Sequence, residues 1–365
     1  MRLTLNTETL RAVLTVASTL ARGRNALPIL SGALIEPHDD DTMTLTVTNL
    51  QQAFTTTVPV LVDDPEPCIL PLTNFMPLFN TISGTVTVTT EEKRFIVEFG
   101  TARYELPNYL LVEEYPPVPD TPETVAALPL ATLLELFQTV SYAASKEDAR
   151  AVLKTVRLAL ENETITAVAT DTHRLVFKTI PAGVPIARPH TLNIPTEAIQ
   201  LLQRVAGLDK TEQCVIQTGK ENAAFIIGTH HVFTQLITGQ YPNWQRVVPT
   251  ETRLTATVTR NELMTVLNRI RIVPKDTPKA YLNFAEQLTV SARGDSYLEA
   301  TEIVPLIQSP TEPIEFAINI NYLLQTLQHF SDDELVFEMD EPLRPIKIHA
   351  GQPDEHAAVV MPMAL

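Results

Sequence analysis

The chain has 365 residues, of which 44% are hydrophobic and 19% charged, and its formal net charge is −16. This length predicts two or three domains, and the composition is that of a globular protein, which excludes an intrinsically disordered chain. The acidic total argues against a broadly basic nucleic-acid-binding surface, but it is compatible with a local basic face because binding depends on the local charge.

Three segments share one pattern of apolar residues at helical spacing, which predicts amphipathic helices over 6–21, 129–144 and 259–272. A second helix type is predicted over 71–83, 195–206 and 319–330. The starts of this second set are evenly spaced along the chain, at Pro71, Pro195 and Asn319. Short polar side chains at these starts are predicted to cap the helices, namely Thr73, Asn74, Thr196 and Asn319 or Asn321.

Between the predicted helices lie alternating, β-branched runs that are typical of half-buried antiparallel strands. These runs are 42–48, 85–89, 95–99, 164–168, 176–180, 225–227, 288–291 and 335–339. Helices and strands therefore follow an α+β order and not a βαβ order. Proline-containing joints at 115–122 and 241–249 divide the chain into three like domains, at 1–120, 121–249 and 250–365.

Catalytic and cofactor motifs are not found in the sequence. The adjacent His230 and His231 would point to opposite faces of a strand, and no Cys or acidic cluster has the spacing of metal ligands. The chain contains neither a GxxxxGK[ST] loop nor a GxSxG motif. We therefore expect no metal and no cofactor.

The polar segment 170–175 permits two interpretations. Asp171 and His173, with Arg174 beside them, could act as an acid and a base in an enzyme. In the plainer interpretation, Asp171 bonds its own backbone in a structural turn, since no nucleophile or second carboxylate is close in sequence.

The last seven residues, 359–365, are apolar up to the carboxyl terminus. They are either a final core strand or the wall of a docking site for another protein. We interpret Val359 and Val360 as strand and 361–365 as the lip of a pocket.

The chain has no run of 18 apolar residues and no signal-peptide pattern at its N-terminus. Its two cysteines, Cys68 and Cys214, are far apart and fit a reducing compartment. We therefore expect a cytoplasmic protein.

Four motifs in this order resemble those of the bacterial β sliding clamp family, the processivity subunit of the replicative DNA polymerase. They are RNALPIL at 24–30, ATDTHRL at 169–175, YPNWQRVVP at 241–249 and VMPM at 360–363. The resemblance covers the whole chain and implies three repeated clamp-fold domains, each with two helices packed on antiparallel sheets. Two chains would close head to tail into a ring around duplex DNA, with the helices inside.

The resemblance also implies a non-catalytic protein that tethers partners to DNA without reading its sequence. The implied partners are duplex DNA, the catalytic subunit of DNA polymerase III, the clamp loader, other replication and repair proteins, and a second copy of the chain. An alternative function is that of a clamp-fold paralogue, a protein-interaction scaffold outside replication.

The implied pocket for partner peptides lies between the second and third domains. By resemblance, it is formed by Leu153, Thr170, Thr172, His173, Arg174, Leu175, Pro242, Arg246, Val247, Asn319, Tyr322, Val359, Val360, Met361, Pro362 and Met363. Met and Pro give an adaptable apolar floor, and the basic residues give donors at its rim.

The implied DNA contacts are the basic residues Arg22, Arg24, Lys146, Arg150, Arg204 and Arg269, with Arg11, Arg260, Arg271 and Lys275 as further candidates. The helix at 71–83 has no basic residue, so we expect weak direct affinity for DNA. The implied ring seam pairs 101–106 of one chain with 296–303 of the other. Its residues are Arg94, Arg103, Tyr104, Leu106, Ile272, Val273, Glu299 and Glu302.

The sequence departs from the family pattern at three places. Thr172 stands where glycine is usual, Ala364 where a basic residue is common, and Glu197 follows Thr196 where a basic residue often faces DNA. The first two departures are expected to alter partner preference, and the third to weaken DNA contact.

Overall fold

The computed structural model describes residues 1–21, 27–108, 110–147, 149–183, 186, 188–208, 210–274, 278–294 and 299–364. The predicted DNA contacts Arg22 and Arg24 lie outside the described residues, as do Lys275, residues 296–298 of the predicted seam, and Leu365.

Six α-helices occur in the described part of the chain, each with an apolar stripe. They are α1 (Thr7–Ala21), α2 (Leu72–Phe79), α3 (Leu130–Ser141), α4 (Thr196–Val205), α5 (Arg260–Ile270) and α6 (Ile320–Gln328). Short 3₁₀ turns lie at Pro28–Ser31, Val112–Glu114, Ala151–Lys154 and Trp244–Arg246. All six predicted helices are thereby confirmed, although α2 ends at Phe79, before the predicted 83.

The first half of the chain contributes strands β1 (Arg2–Asn6), β2 (Gly32–Pro37), β3 (Thr42–Thr48), β4 (Gln52–Pro59), β5 (Leu61–Asp63), β6 (Cys68–Pro71), β7 (Thr85–Glu91), β8 (Arg94–Phe99), β9 (Ala102–Pro107), β10 (Glu123–Pro129), β11 (Thr155–Glu161), β12 (Thr164–Thr170) and β13 (Arg174–Pro181). The second half contributes β14 (His190–Pro195), β15 (Gln213–Thr218), β16 (Asn222–Ile227), β17 (His230–Gln235), β18 (Leu254–Thr259), β19 (Lys279–Phe284), β20 (Leu288–Arg293), β21 (Glu299–Val304), β22 (Leu306–Gln308), β23 (Ile314–Asn319), β24 (Glu334–Met339), β25 (Ile346–His349) and β26 (His356–Val360).

The chain forms two compact units, and each has two sheets of its own. Unit 1 comprises Met1–Leu134 and Ile194–Ile237. Its sheets have the strand orders β5-β1-β7-β8-β9 and β10-β15-β16-β17-β4-β3-β2-β6. Strand pairs such as β3 with β4 and β16 with β17 are antiparallel, as predicted.

Unit 2 comprises Glu135–Asn193 and Thr238–Leu365. Its larger sheet has the order β14-β11-β12-β13-β26-β25-β24-β18-β22, and its smaller sheet the order β21-β20-β19-β23. Strands of the middle third of the chain thus join strands of both other thirds. The α+β prediction is confirmed, since amphipathic helices accompany antiparallel sheets in both units.

The predicted helix caps are wrong for two of the three helices. Only α6 has one, where the Asn319 side-chain oxygen accepts from the backbone N–H groups of Asn321 (3.0 Å) and Tyr322 (3.3 Å). Helices α2 and α4 follow Pro71 and Pro195 directly, without a side-chain cap. Since each strand runs straight into its helix, Thr73 and Thr196 lie inside the first turn and not at the cap position.

The C-terminal segment is tied to unit 2 by main-chain hydrogen bonds. Strand β26 pairs with β13 on one side and β25 on the other, which confirms Val359 and Val360 as strand. Beyond it, the N–H of Met361 donates to the carbonyl of His173 (2.8 Å), and the N–H of Met363 donates to Ala317 (2.8 Å).

His356, at the start of β26, gives unit 2 a pH-dependent stability. Its ring stacks on Phe330 at 4.5 Å between centroids. Burial, followed by the charge of Lys178, lowers the pKa of His356 from 6.5 to about 4. The unfolded chain therefore binds more protons than the folded chain between these values, and stability is lost as the pH falls through this window.

We expect the wild type to lose about 2 kcal/mol more than His356→Phe between pH 7 and pH 4, since each pKa unit corresponds to about 1.4 kcal/mol and partial exposure reduces the total. Chemical denaturation at several pH values measures this difference. The phenylalanine variant keeps the stacked ring but does not titrate, so parallel stability curves for the two proteins would contradict the prediction.

None of the helices in the described ranges combines the length and apolar composition that are needed to cross a bilayer. Likewise, within these ranges no three or more His, Cys, Asp or Glu side chains are grouped so that they could hold a metal ion.

Candidate functional site

The turn between β12 and β13 is organised by Asp171. Its Oδ1 accepts from the backbone N–H groups of His173 (3.0 Å) and Arg174 (2.9 Å). Its Oδ2 accepts from Nε of Arg174 at 3.1 Å. The hydroxyl of Thr170 donates to the Arg174 carbonyl at 2.7 Å and closes the turn. Both carboxylate oxygens are thus used structurally, which supports the structural-turn interpretation over an acid–base role.

Arg174 is the buried centre of this region, with only 6% of its side chain exposed. Its Nη1 donates to Oε1 of Gln325 (2.6 Å), and its Nη2 donates to the carbonyl of Tyr142 (2.8 Å). The guanidinium carbon lies 5.2 Å from the ring centroid of Tyr142 and 4.7 Å from that of Tyr322. A planar guanidinium satisfies all these partners at once, which a lysine would not do.

The two tyrosines beside Arg174 differ in their surroundings. Burial raises the pKa of Tyr142 to about 12, and its ring stacks on His329 at 3.9 Å between centroids. Burial also raises the pKa of Tyr322, whose ring lies 5.9 Å from that of His173. Both phenols therefore remain neutral at physiological pH and act as apolar faces with a polar end.

An apolar cavity of about 150 Å³ lies next to Arg174. Its floor lies on the central strands of the large sheet of unit 2, where Leu175 of β13 is paired with Val359 of β26. Its lining is Thr170, Thr172, Arg174, Leu175, Pro242, Trp244, Val247, Val359 and Met361. Buried Val168, Phe177, Tyr241 and Ala357 support this floor from the same cluster. The cavity can accept an apolar side chain from a partner.

A polar cavity of about 390 Å³ adjoins the apolar one, and Thr172 and Arg174 line both. Its other lining residues are Ala144, Ser145, Lys146, Glu147, Asp171, His173, Tyr322 and Gln325. A third cavity, of about 570 Å³, shares Val247 and Met361 with the apolar cavity and includes Arg246 and the exposed Leu343. Together, the three cavities offer apolar space between polar surfaces.

Most of the predicted pocket residues are brought together in these cavities. Five of them line none of the three cavities: Leu153 and Val360, which are fully buried, Asn319, which caps α6, and Pro362 and Met363. Met363 forms a β-bridge with Ala317, beyond the half-buried Pro362. These residues shape the surroundings through packing and main-chain bonds.

Sequence reasoning did not assign Trp244 and Gln325 to the pocket, and it did not place Tyr142 beside Arg174. Trp244 packs on Phe177 at 5.1 Å between centroids and lines the apolar cavity. A usable signal was present, because Trp244 is the only tryptophan of the chain and lies within the motif at 241–249. Tyr142 and Gln325 had no such signal, since both were placed on predicted helices.

Three domain models describe this chain along its length. The model of the DNA polymerase III beta subunit, N-terminal domain, matches residues 1–119. The central-domain model of the same subunit matches 127–243, and the C-terminal-domain model matches 245–364. The chain belongs to the DNA polymerase III beta subunit family. This family is the sliding-clamp processivity factor, a non-catalytic subunit of the polymerase, which confirms the prediction that the chain is not an enzyme.

Relatives in this beta subunit family match over the full length of the chain. The beta sliding clamp of Escherichia coli is 26% identical over 373 residues, with 100% of both chains covered. That of Pseudomonas aeruginosa is 26% identical over 384 residues, also with 100% of both covered.

Among solved structures, the DNA polymerase III subunit beta of Pseudomonas aeruginosa has a TM-score of 0.93 at 23% identity and full coverage of both chains. The sliding clamp of Bacillus subtilis has a TM-score of 0.94 at 20% identity and covers 100% of this chain and 99% of its own. These likenesses confirm the predicted fold, with three clamp domains.

The predicted DNA contacts of this beta subunit family member differ in their availability. Lys146 is exposed on the polar cavity, Arg150 is exposed beside the 3₁₀ turn Ala151–Lys154, and Arg204 is exposed in the last turn of α4. Arg269 instead binds Glu302 of the same chain, with Nε 2.9 Å from Oε1. The hydrogen bond from Arg269 holds the pKa of Glu302 below its usual value.

Several charges of the predicted seam also have partners within the chain. Arg94 pairs with Glu91 and Glu105 (2.6 and 2.9 Å), and Arg103 pairs with Glu98 at 3.3 Å. Glu299 pairs with Arg293 at 3.2 Å. These pairs are exposed and therefore contribute little to stability, so their members can exchange partners at small cost.

The apolar residues of the predicted seam differ in solvent exposure. Tyr104 is 46% exposed and Ile272 is 74% exposed, whereas Val273 is 8% exposed and buried in its own chain. Leu106 lies on β9 and is half-buried. Ile303, on β21, lies within the predicted seam segment 296–303 and is 59% exposed, although it was not among the residues named for the seam.

Proposed function

We propose that two copies of this chain close head to tail into a ring around duplex DNA and tether the replicative DNA polymerase for processive synthesis. The match of all three beta subunit domain models over the full chain carries this proposal. We infer three clamp domains, at 1–120, 121–249 and 250–365, each with two helices. We also infer that the protein acts in the cytoplasm.

Two sheet edges in the described part of the chain support closure by strand pairing. Strand β9 is the outer strand of the five-stranded sheet, and β21 is the outer strand of the four-stranded sheet. Each has one hydrogen-bonded neighbour there and leaves its other edge open. Pairing β9 of one chain with β21 of the next would bury Tyr104 and Ile303, and a two-fold repeat of this contact closes a ring.

Most basic side chains on the helices already have partners within the chain, which favours a topological hold on DNA over tight binding. Arg11 of α1 donates from Nε and Nη2 to the carbonyl of Phe79 (3.2 Å each) at the end of α2. Arg260 lies 4.0 Å from Asp333, and Arg269 binds Glu302. Of the basic side chains on helices in the described ranges, Arg204 alone has no partner. Because few phosphates are neutralised, we expect a shallow dependence of DNA affinity on salt.

The cavities beside Arg174 fit short peptides from partner proteins. The apolar cavity takes an anchor side chain, and the adjoining polar cavity offers Lys146 and His173 to neighbouring polar groups. Partners of this kind are the polymerase catalytic subunit, the clamp loader, and other replication and repair proteins. Met361 and Pro242 make the floor adaptable, so that several peptides can share it.

Deletion of residues 361–365 tests the tethering function. We expect the truncated chain to lose peptide binding by at least about 100-fold, since Met361 is removed from the cavity and the floor at Val359 is opened. Loss of the two main-chain bonds from Met361 and Met363 should lower the free energy of unfolding by only about 2 kcal/mol. Polymerase processivity should fall to that of the polymerase without a clamp.

Ring formation is tested separately with the wild-type chain. Sedimentation should give a dimer, and loaded protein should stay on circular DNA and be released when the circle is cut. A monomer at micromolar concentration, or equal retention on circular and linear DNA, would argue against the ring. A truncated chain that forms rings but supports full processivity would argue against the pocket.

One observation favours a second candidate, a clamp-fold paralogue that acts as an interaction scaffold outside replication. Arg260 and Arg269 each face a carboxylate of the same chain, which reduces the positive charge that α5 offers to DNA. This candidate predicts a dimer that binds peptides but does not increase the processivity of the cognate polymerase.

A further inference from the structure

Thr172 has an unusual backbone conformation for its residue type. Its φ is 74°, in the left-handed region, where a β-branched side chain crowds the backbone. Glycine avoids this crowding. The conformation is held by the surrounding turn, in which the N–H of Thr172 donates to Oγ1 of Thr170 at 3.1 Å.

The same turn occurs in unit 1, between β3 and β4, with Leu50 in the place of Thr172. The φ of Leu50 is also 74°. The N–H of Leu50 donates to Oγ1 of Thr48 (3.0 Å), and the Thr48 hydroxyl donates to the Gln52 carbonyl (2.9 Å). The hydrogen bonds of the turn therefore determine the left-handed conformation. They do not determine which side chain occupies that position, since it is leucine in one turn and threonine in the other.

The side chain of Thr172 contributes no hydrogen bond to the described fold. It is exposed, and only its backbone N–H is bonded within the turn. A strained residue whose side chain is not needed for folding points to a role at the surface.

Thr172 stands on the wall between the apolar and the polar cavity. Among the described residues, only Arg174 shares this position, and Arg174 is buried and held by Asp171 and Gln325. The residue at position 172 can therefore be replaced without loss of the hydrogen bonds that Arg174 makes with Asp171 and Gln325. Any peptide that places one residue in each cavity passes over it.

We propose that Thr172 is a specificity-determining residue for partner peptides. Its hydroxyl bonds a polar group of the peptide beside the apolar anchor, and its branched side chain limits the width of that anchor. The inference rests on the proposed function of the pocket, and it concerns which peptides bind and not whether the pocket binds them.

The test uses peptides tiled over the catalytic subunit of the cognate polymerase. The tightest binder of the full-length protein becomes the parent peptide, and its apolar anchor is changed to Ala, Leu, Phe and Trp. Dissociation constants are measured by fluorescence anisotropy for the wild type and for Thr172→Val, Thr172→Ser and Thr172→Gly. Valine keeps the shape without the hydroxyl, and serine keeps the hydroxyl without the branch.

We expect Thr172→Val to bind the parent about fivefold more weakly, the effect of one lost hydrogen bond, with unchanged preference among anchors. Thr172→Ser should keep the affinity for the parent but reduce the discrimination against the Trp anchor by about fivefold or more. Thr172→Gly should show both effects.

Leu50→Gly is the matched control, since it relieves the same φ of 74° in a turn that lines none of the three cavities. Both glycine variants should raise the melting temperature by about 2 °C, but Leu50→Gly should leave every peptide affinity unchanged. If all Thr172 variants bind every peptide within twofold of the wild type, Thr172 is only a turn residue and the inference is wrong. If no tiled peptide binds the wild type, the proposed pocket fails, and the inference fails with it.

Discussion

Replacing Arg174 with alanine is expected to lower the free energy of unfolding by about 3 kcal/mol, because removing one member of a buried ion pair leaves the other charge without compensation. Arg174 is 6% exposed and Asp171 is 11% exposed. The substitution also removes the bonds to Gln325 and Tyr142 and leaves a gap between two aromatic rings. Urea denaturation measures the loss.

The same substitution should weaken peptide binding by at least about tenfold, since Arg174 lines both cavities. Arg174→Lys keeps the charge but not the planar fork, and it should be intermediate in stability. Gln325→Ala removes only one of the bonds, from an exposed residue, and should lose about 1 kcal/mol or less. A loss below about 1 kcal/mol for Arg174→Ala would show that the pair does not hold the region together.

Substituting Ile303 with aspartate is expected to convert the proposed dimer to monomers. Ile303 is 59% exposed on the open edge strand β21, so a single chain should tolerate the change. In the closed seam, however, the new carboxylate would be buried without a partner, which costs several kcal/mol. We expect the dissociation constant of the dimer to rise more than about 100-fold.

Ile307→Asp is a matched control, because Ile307 is also an exposed isoleucine (52%) but lies on β22, which pairs with β18 in another sheet. Sedimentation should show monomers for Ile303→Asp and dimers for Ile307→Asp. After loading, Ile307→Asp should be retained on circular DNA and Ile303→Asp should not. Equal dimerisation of both variants would exclude β21 from the seam.

The helices could be predicted from the sequence because each has an apolar stripe that local spacing reveals. Helix α5 (Arg260–Ile270), for example, lies within the predicted 259–272. Strand β3 has the predicted bounds, 42–48, because threonines alternate with apolar residues there. These features depend on neighbouring residues alone.

The membership of the sheets could not be predicted, since it depends on contacts far apart in the chain. Nothing near β17 indicates that it pairs with β4, yet His230 lies opposite Thr56. The ion-pair partners of the charged residues could not be predicted either. Arg269 was assigned to DNA from its place on a helix, but its reach to Glu302 depends on how α5 packs beside β21.

The candidate site was predicted largely through family resemblance, whereas the residues alone left its central turn open to two interpretations. The structure resolves this choice, because Asp171 bonds backbone groups on one oxygen and Arg174 on the other. The related turn at Leu50 was not recognised in the sequence. Both turns begin with a threonine, Thr48 and Thr170, but the residues that follow these threonines differ.

The position of β26 in the middle of the nine-stranded sheet has a consequence for biosynthesis. Its neighbours β13 and β25 flank it on both sides, so this sheet is divided until the last strand is inserted. A ribosome makes β26 after both of its neighbours, β13 and β25. A nascent chain can therefore form unit 1 before β26 has been made, but it cannot complete the nine-stranded sheet, or the proposed pocket on it, until this strand is inserted.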